Sequence, residues 1–320
     1  MSTSNNISTQ PSNTVVLAST IAKQYIIHLP VIFIALGFIG FLGNALTYLQ
    51  KDIRTNPCSI YLFCGSIADV TNLLYNMLGN YLAAAHGVYI PWVKLPNLCK
   101  FYSFFLGFLP HLSINFLVMA IIDRYASTCA FTARIRRLNY INIVPWLIGI
   151  TILLSFISSI RSLILYDYQD GKGCVPTQPL LNNILYTIIN GTVQPVTMCI
   201  FVFLTFQNVR KSRQRVSGTG LVNPRRTRNQ FISMILTQIL ATCVISLQWM
   251  IMYIYYFIPV QTPRTAEQQA IVSLFYSLTN YCYYLNNVKS FYLSMLTSKL
   301  FRKTFVKAFI KFLPRHQHQR

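Results

Sequence analysis

Acidic side chains are scarce in this chain: its 320 residues include only 6 Asp and Glu, against 27 Lys and Arg. Charged residues of both signs make up 10% of the sequence, whereas soluble domains carry about 25%. So little charge cannot cover a globular surface, which argues against an ordinary soluble enzyme. It also argues against a nucleic-acid-binding protein, because such proteins place their basic groups on a polar, soluble surface. With 53% hydrophobic residues, the composition predicts an integral membrane protein.

Groups suited to catalysis or metal binding are equally sparse. No two of the six carboxylates share an apolar stretch, and the 5 histidines and 8 cysteines show no spacing typical of a metal site. Enzymes need nucleophiles, acids or metal ligands that lie close together. The sequence therefore predicts a protein that is not an enzyme and has no cofactor, apart from a sodium ion considered below.

Seven apolar stretches follow a polar N-terminal segment, and each is long enough to cross a bilayer core, which takes about 20 helical residues. Their runs are continuous rather than alternating, which favours an all-α membrane protein built as a seven-helix bundle. We expect an extracellular tail at 1–24, a transmembrane domain at 25–297, and a cytoplasmic amphipathic helix and tail at 298–320. The helices are expected at 25–49, 59–84, 97–127, 141–165, 182–207, 229–257 and 268–294.

The basic residues predict the orientation of these helices. Of the 27 Lys and Arg, 20 lie in the segments that follow the first, third, fifth and seventh stretches. Cytoplasmic loops carry the excess of basic residues, so we expect an extracellular N-terminus and a cytoplasmic C-terminus in the plasma membrane. Asn6-Ile7-Ser8 then forms a glycosylation sequon on the correct side.

The third stretch carries a signal at each end. Asp123-Arg124-Tyr125 ends it on the cytoplasmic side, where an ion pair is compatible with simple snorkelling to the interface as well as with a specific role. Of the eight cysteines, only Cys99 and Cys174 fall on the oxidising outer side, either as a disulfide or as two free thiols. Cys99 and Arg124 are 25 positions apart, which is about 37 Å of helix and a full bilayer crossing.

The order and spacing of these motifs resemble those of rhodopsin-like G-protein-coupled receptors over nearly the whole chain. The cysteine and the Asp-Arg-Tyr triplet of the third span are joined by further matches, namely Gly43-Asn44, Ser66-Ile67-Ala68-Asp69, Trp146 and Pro195. The run from Leu296 to Lys303 resembles the family's short amphipathic eighth helix. The resemblance implies a receptor in which Asp123, Arg124 and Tyr125 form the switch that couples to a heterotrimeric G protein.

The sequence departs from the family at two places. The motif that ends the seventh span aligns with Ser290–Ser294 and lacks both its proline and its terminal tyrosine. In the sixth span no proline follows Trp249, so the kink that such a proline produces is not expected there.

Asp69 is the only carboxylate deep in an apolar stretch, and a lone buried charge is costly unless it is paired, protonated or bound to an ion. The resemblance implies a polar core that includes Asn44 and a sodium pocket formed by Asp69 with Ser113, Asn286 and Ser290. Lys289 is unusual at this depth, and we hypothesise that it is coupled to Asp69.

A ligand pocket is expected among aromatic and apolar residues near the outer ends of the helices, although such a stripe is also typical of simple packing. The candidates are Tyr102, Phe105, Leu106, Leu109, Trp249, Tyr253, Tyr276, Tyr281 and Tyr284. The end of the seventh span looks most like that of FMRFamide-type neuropeptide receptors of invertebrates. The resemblance therefore implies an extracellular peptide ligand, a G-protein partner and a bilayer, and no nucleic acid.

Two alternatives remain at this point, namely a light-sensing opsin-like receptor and a seven-span transporter or channel. Leu106 aligns with the ligand-binding aspartate of amine receptors, and Tyr284 with the retinal lysine of opsins, which disfavours an amine receptor and a light-sensing opsin. A seven-span transporter or channel would show paired halves and several ionisable residues at the midplane, whereas this chain has only Asp69 and Lys289.

Overall fold

The computed structural model describes residues 13–51, 53–87, 95–129, 134–170, 173–215, 223–257 and 264–312. Almost all of these residues are helical. The α-helices are α1 Asn13–Gln24, α2 Leu29–Tyr48, α3 Pro57–Asn72, α4 Gly79–His86, α5 Pro96–Thr128, α6 Val144–Leu165, α7 Pro179–Tyr186, α8 Gln194–Arg215, α9 Asn223–Phe257, α10 Ala266–Tyr283, α11 Leu285–Thr297 and α12 Lys299–Phe312. Single π-helical turns, Leu73–Leu78 and Thr187–Val193, join α3 to α4 and α7 to α8.

Within the described residues, six helical stretches are long and apolar enough to cross a membrane. They are Asn13–Tyr48, Pro57–His86, Asn97–Thr128, Ile141–Leu165, Pro179–Lys211 and Gln230–Phe257. These six overlap the first six predicted spans, and their length and composition suit a multi-pass membrane protein.

The seventh predicted span, 268–294, corresponds to two helices rather than one. Helix α10 ends at Tyr283 and α11 begins at Leu285. The amides of Tyr284 and Asn287 each bond the carbonyl three residues earlier, at 3.0 Å, which tightens the chain into a 3₁₀-like turn. Helix α10 also contains one Glu, two Gln, one Asn and three Tyr, which makes it less apolar than the six stretches above.

The chain is helical earlier than the sequence suggested. Helix α1 begins at Asn13, inside the segment expected to be a tail, and it packs against α10. A run of apolar residues that includes Val15, Val16 and Leu17 accounts for this, because they form the first turns of a helix. The sequon at Asn6 lies outside the described residues.

Helix α5 lies at the centre of the bundle. It packs against α3, α6, α8 and α9, and it has 33 residues. Ile121 in its second half belongs to the same buried core cluster as Tyr61 of α3 and Met234 and Ile235 of α9. Helix α5 therefore connects most of the elements that carry the site residues.

Helix α6 shows how the bundle meets its surroundings. Between its buried end residues Val144 and Leu165, its buried residues are small and polar. They are Thr151, Ser155, Ser159 and Ser162, and they recur at the spacing of one helix face. Its other faces carry exposed apolar side chains, such as Leu153 and Leu154 at 57% exposure each. Polar residues inside and apolar residues outside are the reverse of a water-soluble helix, and small residues let helices approach closely within a bilayer.

A short hairpin covers one end of α5. Strands β1 Tyr166–Gln169 and β2 Gly173–Pro176 pair antiparallel, with Tyr168 opposite Cys174. Cys174 forms a disulfide with Cys99, with their Cα atoms 5.5 Å apart. The predicted pairing of these two cysteines is confirmed.

Helix α12 lies against α2, α9 and α11. Phe301, Thr304 and Ala308 are buried on one face, while Val306 and Ile310 are exposed on another beside several basic residues. The ring of Phe301 meets that of Tyr48 edge-on at 5.5 Å. An amphipathic helix after the last apolar stretch therefore agrees with the sequence pattern.

Candidate functional site

The second half of α5 ends in a buried ion pair. Arg124 donates from Nε to Oδ2 of Asp123 at 3.0 Å, and its Nη2 also contacts this carboxylate. Both side chains are almost fully buried, and Asn139 donates to the other oxygen of Asp123 at 2.7 Å. Burial of a charge is tolerated only with such pairing, so this pair is held by several specific contacts and is not a snorkelling pair.

Two contacts tie Arg124 to other helices. Its Nη2 donates to Oδ1 of Asn56 at 2.7 Å, and its guanidinium lies over the ring of Phe231 on α9 at 5.6 Å. Tyr125, the third residue of the triplet, packs edge-on against Phe201 of α8 at 5.7 Å. The sequence did not point to Asn56, although Asn before Pro57 is a recognisable helix start.

The Asp69 carboxylate lies in a chain of side-chain hydrogen bonds. Its Oδ1 accepts from Ser113 on α5 and from Asn287 on α11, the latter at 2.8 Å. Asn72 donates to Asn287 at 3.1 Å, and Asn76 donates in turn to Asn72. This network joins α3, α5 and α11. The sequence signal for it is the pair of amides Asn72 and Asn76, which are four residues apart in an apolar run.

The predicted partner Asn286 takes a different position. Its Oδ1 accepts from the Lys289 ammonium at 2.9 Å, and its backbone carbonyl accepts from the same group at 3.0 Å. Asn287, one residue later, occupies the place at Asp69 that the alignment assigned to Asn286. Asn44 is also buried, and its Oδ1 has no hydrogen-bond partner among the described residues.

Asp69, Ser113, Asn286, Lys289 and Ser290 line one cavity of about 30 Å³. A water molecule needs about 10–15 Å³ measured in this way, so there is room for about two. The structure thus brings together the five predicted residues of the ion and polar core other than Asn44.

Gln238 of α9 also lines this cavity, and the sequence did not indicate a role for it. Its amide donates to Oγ of Ser294 at 2.8 Å and to the carbonyl of Ser290 at 3.3 Å. A buried Gln in an apolar span is a polar link between helices. Gln238 therefore ties α9 to α11 in the stretch where the family motif is incomplete.

An aromatic cluster lies farther along α9, and it contains three of the predicted pocket residues. The Trp249 ring packs on Tyr253 at 5.7 Å and on Tyr276 at 5.2 Å. Trp249 donates from Nε1 to the hydroxyl of Tyr186 at 2.9 Å, and Tyr253 donates to Asn183 at 2.7 Å. These bonds fasten α9 to the first part of the Pro179–Lys211 stretch.

The remaining pocket candidates divide into groups. Tyr102 and Phe105 pack on Tyr75 at 5.5 and 5.7 Å, Leu109 is buried, and Tyr281 packs against Leu73, Met77 and Val288. Leu106 and Tyr284 line a separate cavity of about 80 Å³ together with Trp249, His111 and Asn190. Only part of the predicted aromatic stripe therefore faces a cavity.

A cation near the hairpin was not singled out from sequence. Arg161 donates to Oδ1 of Asn182 at 2.8 Å, and its guanidinium lies over the Tyr186 ring at 5.4 Å. Tyr166 of β1 lies close to both, and burial raises the pKa of its hydroxyl. Arg161 connects the end of α6 to the aromatic cluster through neutral partners.

No protein-family model matches the chain, and no curated protein is significantly similar to it.

Proposed function

We propose that this protein is a rhodopsin-like G-protein-coupled receptor that transmits the binding of an extracellular ligand to a heterotrimeric G protein. In this proposal α10 and α11 together form the seventh span, and α12 is the eighth helix at the cytoplasmic face. The N-terminus is extracellular, in accord with the distribution of basic residues.

One observation carries the proposal, namely the construction of α5. A disulfide fixes Cys99 near its first turn to the hairpin at Cys174, and a buried ion pair of Asp123 and Arg124 lies in its last turns. Between these two ends α5 packs against four other helices. A device that connects events on two sides of a membrane needs a helix of this kind, with one end accessible to a ligand and the other end poised to change partners.

The ligand side of the proposal rests on the aromatic cluster and the hairpin. A ligand that displaces Trp249 or Tyr186 changes the packing of α9 against α7, because Trp249 of α9 donates a hydrogen bond to Tyr186 of α7. Movement of α9 in turn changes the contact of Phe231 with Arg124. A peptide suits this entrance, since Asp167 and Glu267 lie in segments predicted to be extracellular and offer carboxylates to a cationic ligand.

On the other side, release of Arg124 from Asp123 exposes a guanidinium to the G protein. Basic residues at Arg134 and Arg137 and on α12 lie on the predicted cytoplasmic side. Positive charge on this surface favours encounter with an acidic partner surface. The ion pair is thus the switch, and its environment sets the level of activity without ligand.

The test is a screen of a neuropeptide library on cells that express the full chain, with second-messenger responses for each class of Gα as the readout. We expect at least one peptide to give a response that the Arg124→Ala variant lacks at equal surface expression. Substrate uptake or ion current without any Gα response would instead support a transporter or channel.

A further inference from the structure

Two opposite charges lie in one small cavity in the bundle. Asp69 of α3 is 7% exposed, and the partly buried Lys289 of α11 lines the same cavity of about 30 Å³. They do not touch, because no N–O distance between them is below 4.0 Å. The charges are therefore close enough to interact through space or through a water molecule, but they are not fixed in a direct ion pair.

Each charge is held by a neutral amide from consecutive residues of α11. Asn287 donates to the Asp69 carboxylate at 2.8 Å, while Asn286 accepts from the Lys289 ammonium at 2.9 Å. This arrangement aligns a donor with the anion and an acceptor with the cation. The turn of α11 that carries both amides therefore stabilises the charged forms of both Asp69 and Lys289.

Both charges retain capacity for one more partner. The two hydrogen bonds to Asp69 fall on Oδ1, and Oδ2 accepts none from the described residues. An ammonium group has three donors, and Lys289 uses two of them on Asn286. The cavity thus contains a carboxylate oxygen and an ammonium hydrogen that are both available, with room for about two bridging waters.

A sodium ion at Asp69, which the family resemblance implies, does not fit this donor set. A bound Na⁺ requires several oxygen ligands, and both oxygens of Asn286, the predicted co-ligand of Asp69, already accept hydrogen bonds from the Lys289 ammonium. The ion would also share a cavity that has room for only about two waters with the positive charge of Lys289. In this region bulk water does not screen the repulsion between the two cations.

We infer that the ammonium of Lys289 is the built-in cation of Asp69 and that this cavity does not take Na⁺, whereas loss of the ammonium alone converts it into a sodium site. The side chains that would then face the ion are Asp69, Ser113, Asn286 and Ser290, all of which line the cavity.

The experiment compares thermal unfolding of the purified full chain in sodium chloride and in choline chloride at equal ionic strength. We expect the wild type to unfold at the same temperature in both salts. Lys289→Met should unfold about 2–4 °C higher in sodium chloride, because a ligand that binds only the folded state raises the unfolding temperature. This readout does not involve a G protein, so its failure is distinct from failure of the proposed function.

Two variants make the comparison specific. Adding Asp69→Asn to Lys289→Met should abolish the sodium effect, and Lys299→Met, which removes a lysine of α12 away from the cavity, should show none. Lys289→Gln serves if the methionine variant does not fold.

Two results would overturn the inference. One is a sodium-specific stabilisation of the wild type that Asp69→Asn removes, since the cavity would then take Na⁺ with the ammonium present. The other is equal unfolding temperatures in the two salts for every folded Lys289 variant.

Discussion

The guanidinium of Arg124 lies 2.7 Å from Oδ1 of Asn56, so the arginine of α5 is bonded to the residue that starts α3. The same Asn56 oxygen accepts from the backbone amide of Cys58 at 3.2 Å and caps α3. A change in the position of Arg124 therefore requires loss of a contact to α3 as well as to Asp123. Asn56 is a second restraint on the proposed switch.

Asn56→Ser should raise ligand-independent nucleotide exchange. Serine is a good N-cap, so α3 keeps its start, but its side chain is too short to reach Arg124. A hydrogen bond to a charged group contributes about 1.5–3 kcal/mol, which corresponds to an increase of about ten- to a hundredfold. Basal exchange on Gα in membranes, normalised to receptor amount, measures the effect.

The companion variant Asn56→Ala separates the two roles of this residue. It should show the same increase in exchange as Asn56→Ser. Its free energy of unfolding should be lower than that of Asn56→Ser by about 1 kcal/mol, because the cap is lost as well. Unchanged exchange in both folded variants would mean that Asn56 serves only as a cap.

Replacing Cys99 and Cys174 together by serine should destabilise the protein. A disulfide typically contributes about 2–4 kcal/mol by restricting the unfolded chain, and this one closes 75 residues. The unfolding temperature in detergent measures the loss, and a reducing agent should lower the wild-type value in the same way. Cys199→Ser, which removes an exposed free cysteine, should leave the unfolding temperature unchanged both with and without the reducing agent.

Substitutions on the two faces of α6 should differ in their effect on stability. Ser155 is fully buried and accepts a hydrogen bond from Asn115 at 2.8 Å, so Ser155→Leu should cost about 1–3 kcal/mol through overpacking. Leu153→Ile, on the exposed face, should leave the unfolding temperature nearly unchanged. Greater damage at Leu153 than at Ser155 would contradict the assignment of the lipid-facing side.

Tyr186→Phe should loosen the aromatic cluster. It removes the acceptor for Trp249 Nε1, at 2.9 Å, and an unpaired buried donor costs about 1–3 kcal/mol. A lower unfolding temperature and a change in tryptophan fluorescence should accompany the substitution. Tyr256→Phe is the control, because that ring packs on Tyr276 while its hydroxyl has no bond to the described residues.

Patterns that depend on composition and compartment were readable from the sequence. The disulfide between Cys99 and Cys174 agrees with the sequence prediction, and the first six apolar stretches coincide with helices of sufficient length. Both predictions used rules that need no knowledge of side-chain packing, namely the cost of unpaired backbone in lipid and the oxidising conditions expected on the outer side.

Positions that depend on local helix geometry were not readable. The family resemblance assigned Asn286 to Asp69, but a tight turn at Tyr284 begins α11, and in the structure Asn287 meets the carboxylate. The π-helical turns at Leu73–Leu78 and Thr187–Val193 shift registers in the same manner. The partner of Arg124 on α3 depends on how two helices pack, which no periodicity encodes.

The most direct test of the account uses only the purified full chain in lipid nanodiscs and purified heterotrimeric G proteins of each Gα class. Nucleotide release from Gα is measured for the wild type, for Asn56→Ser and for Arg124→Ala. The account predicts faster release with the wild type for at least one class, a further increase with Asn56→Ser, and no acceleration with Arg124→Ala. If neither the wild type nor Asn56→Ser accelerates release from any Gα, the proposal that this protein is a G-protein-coupled receptor is contradicted.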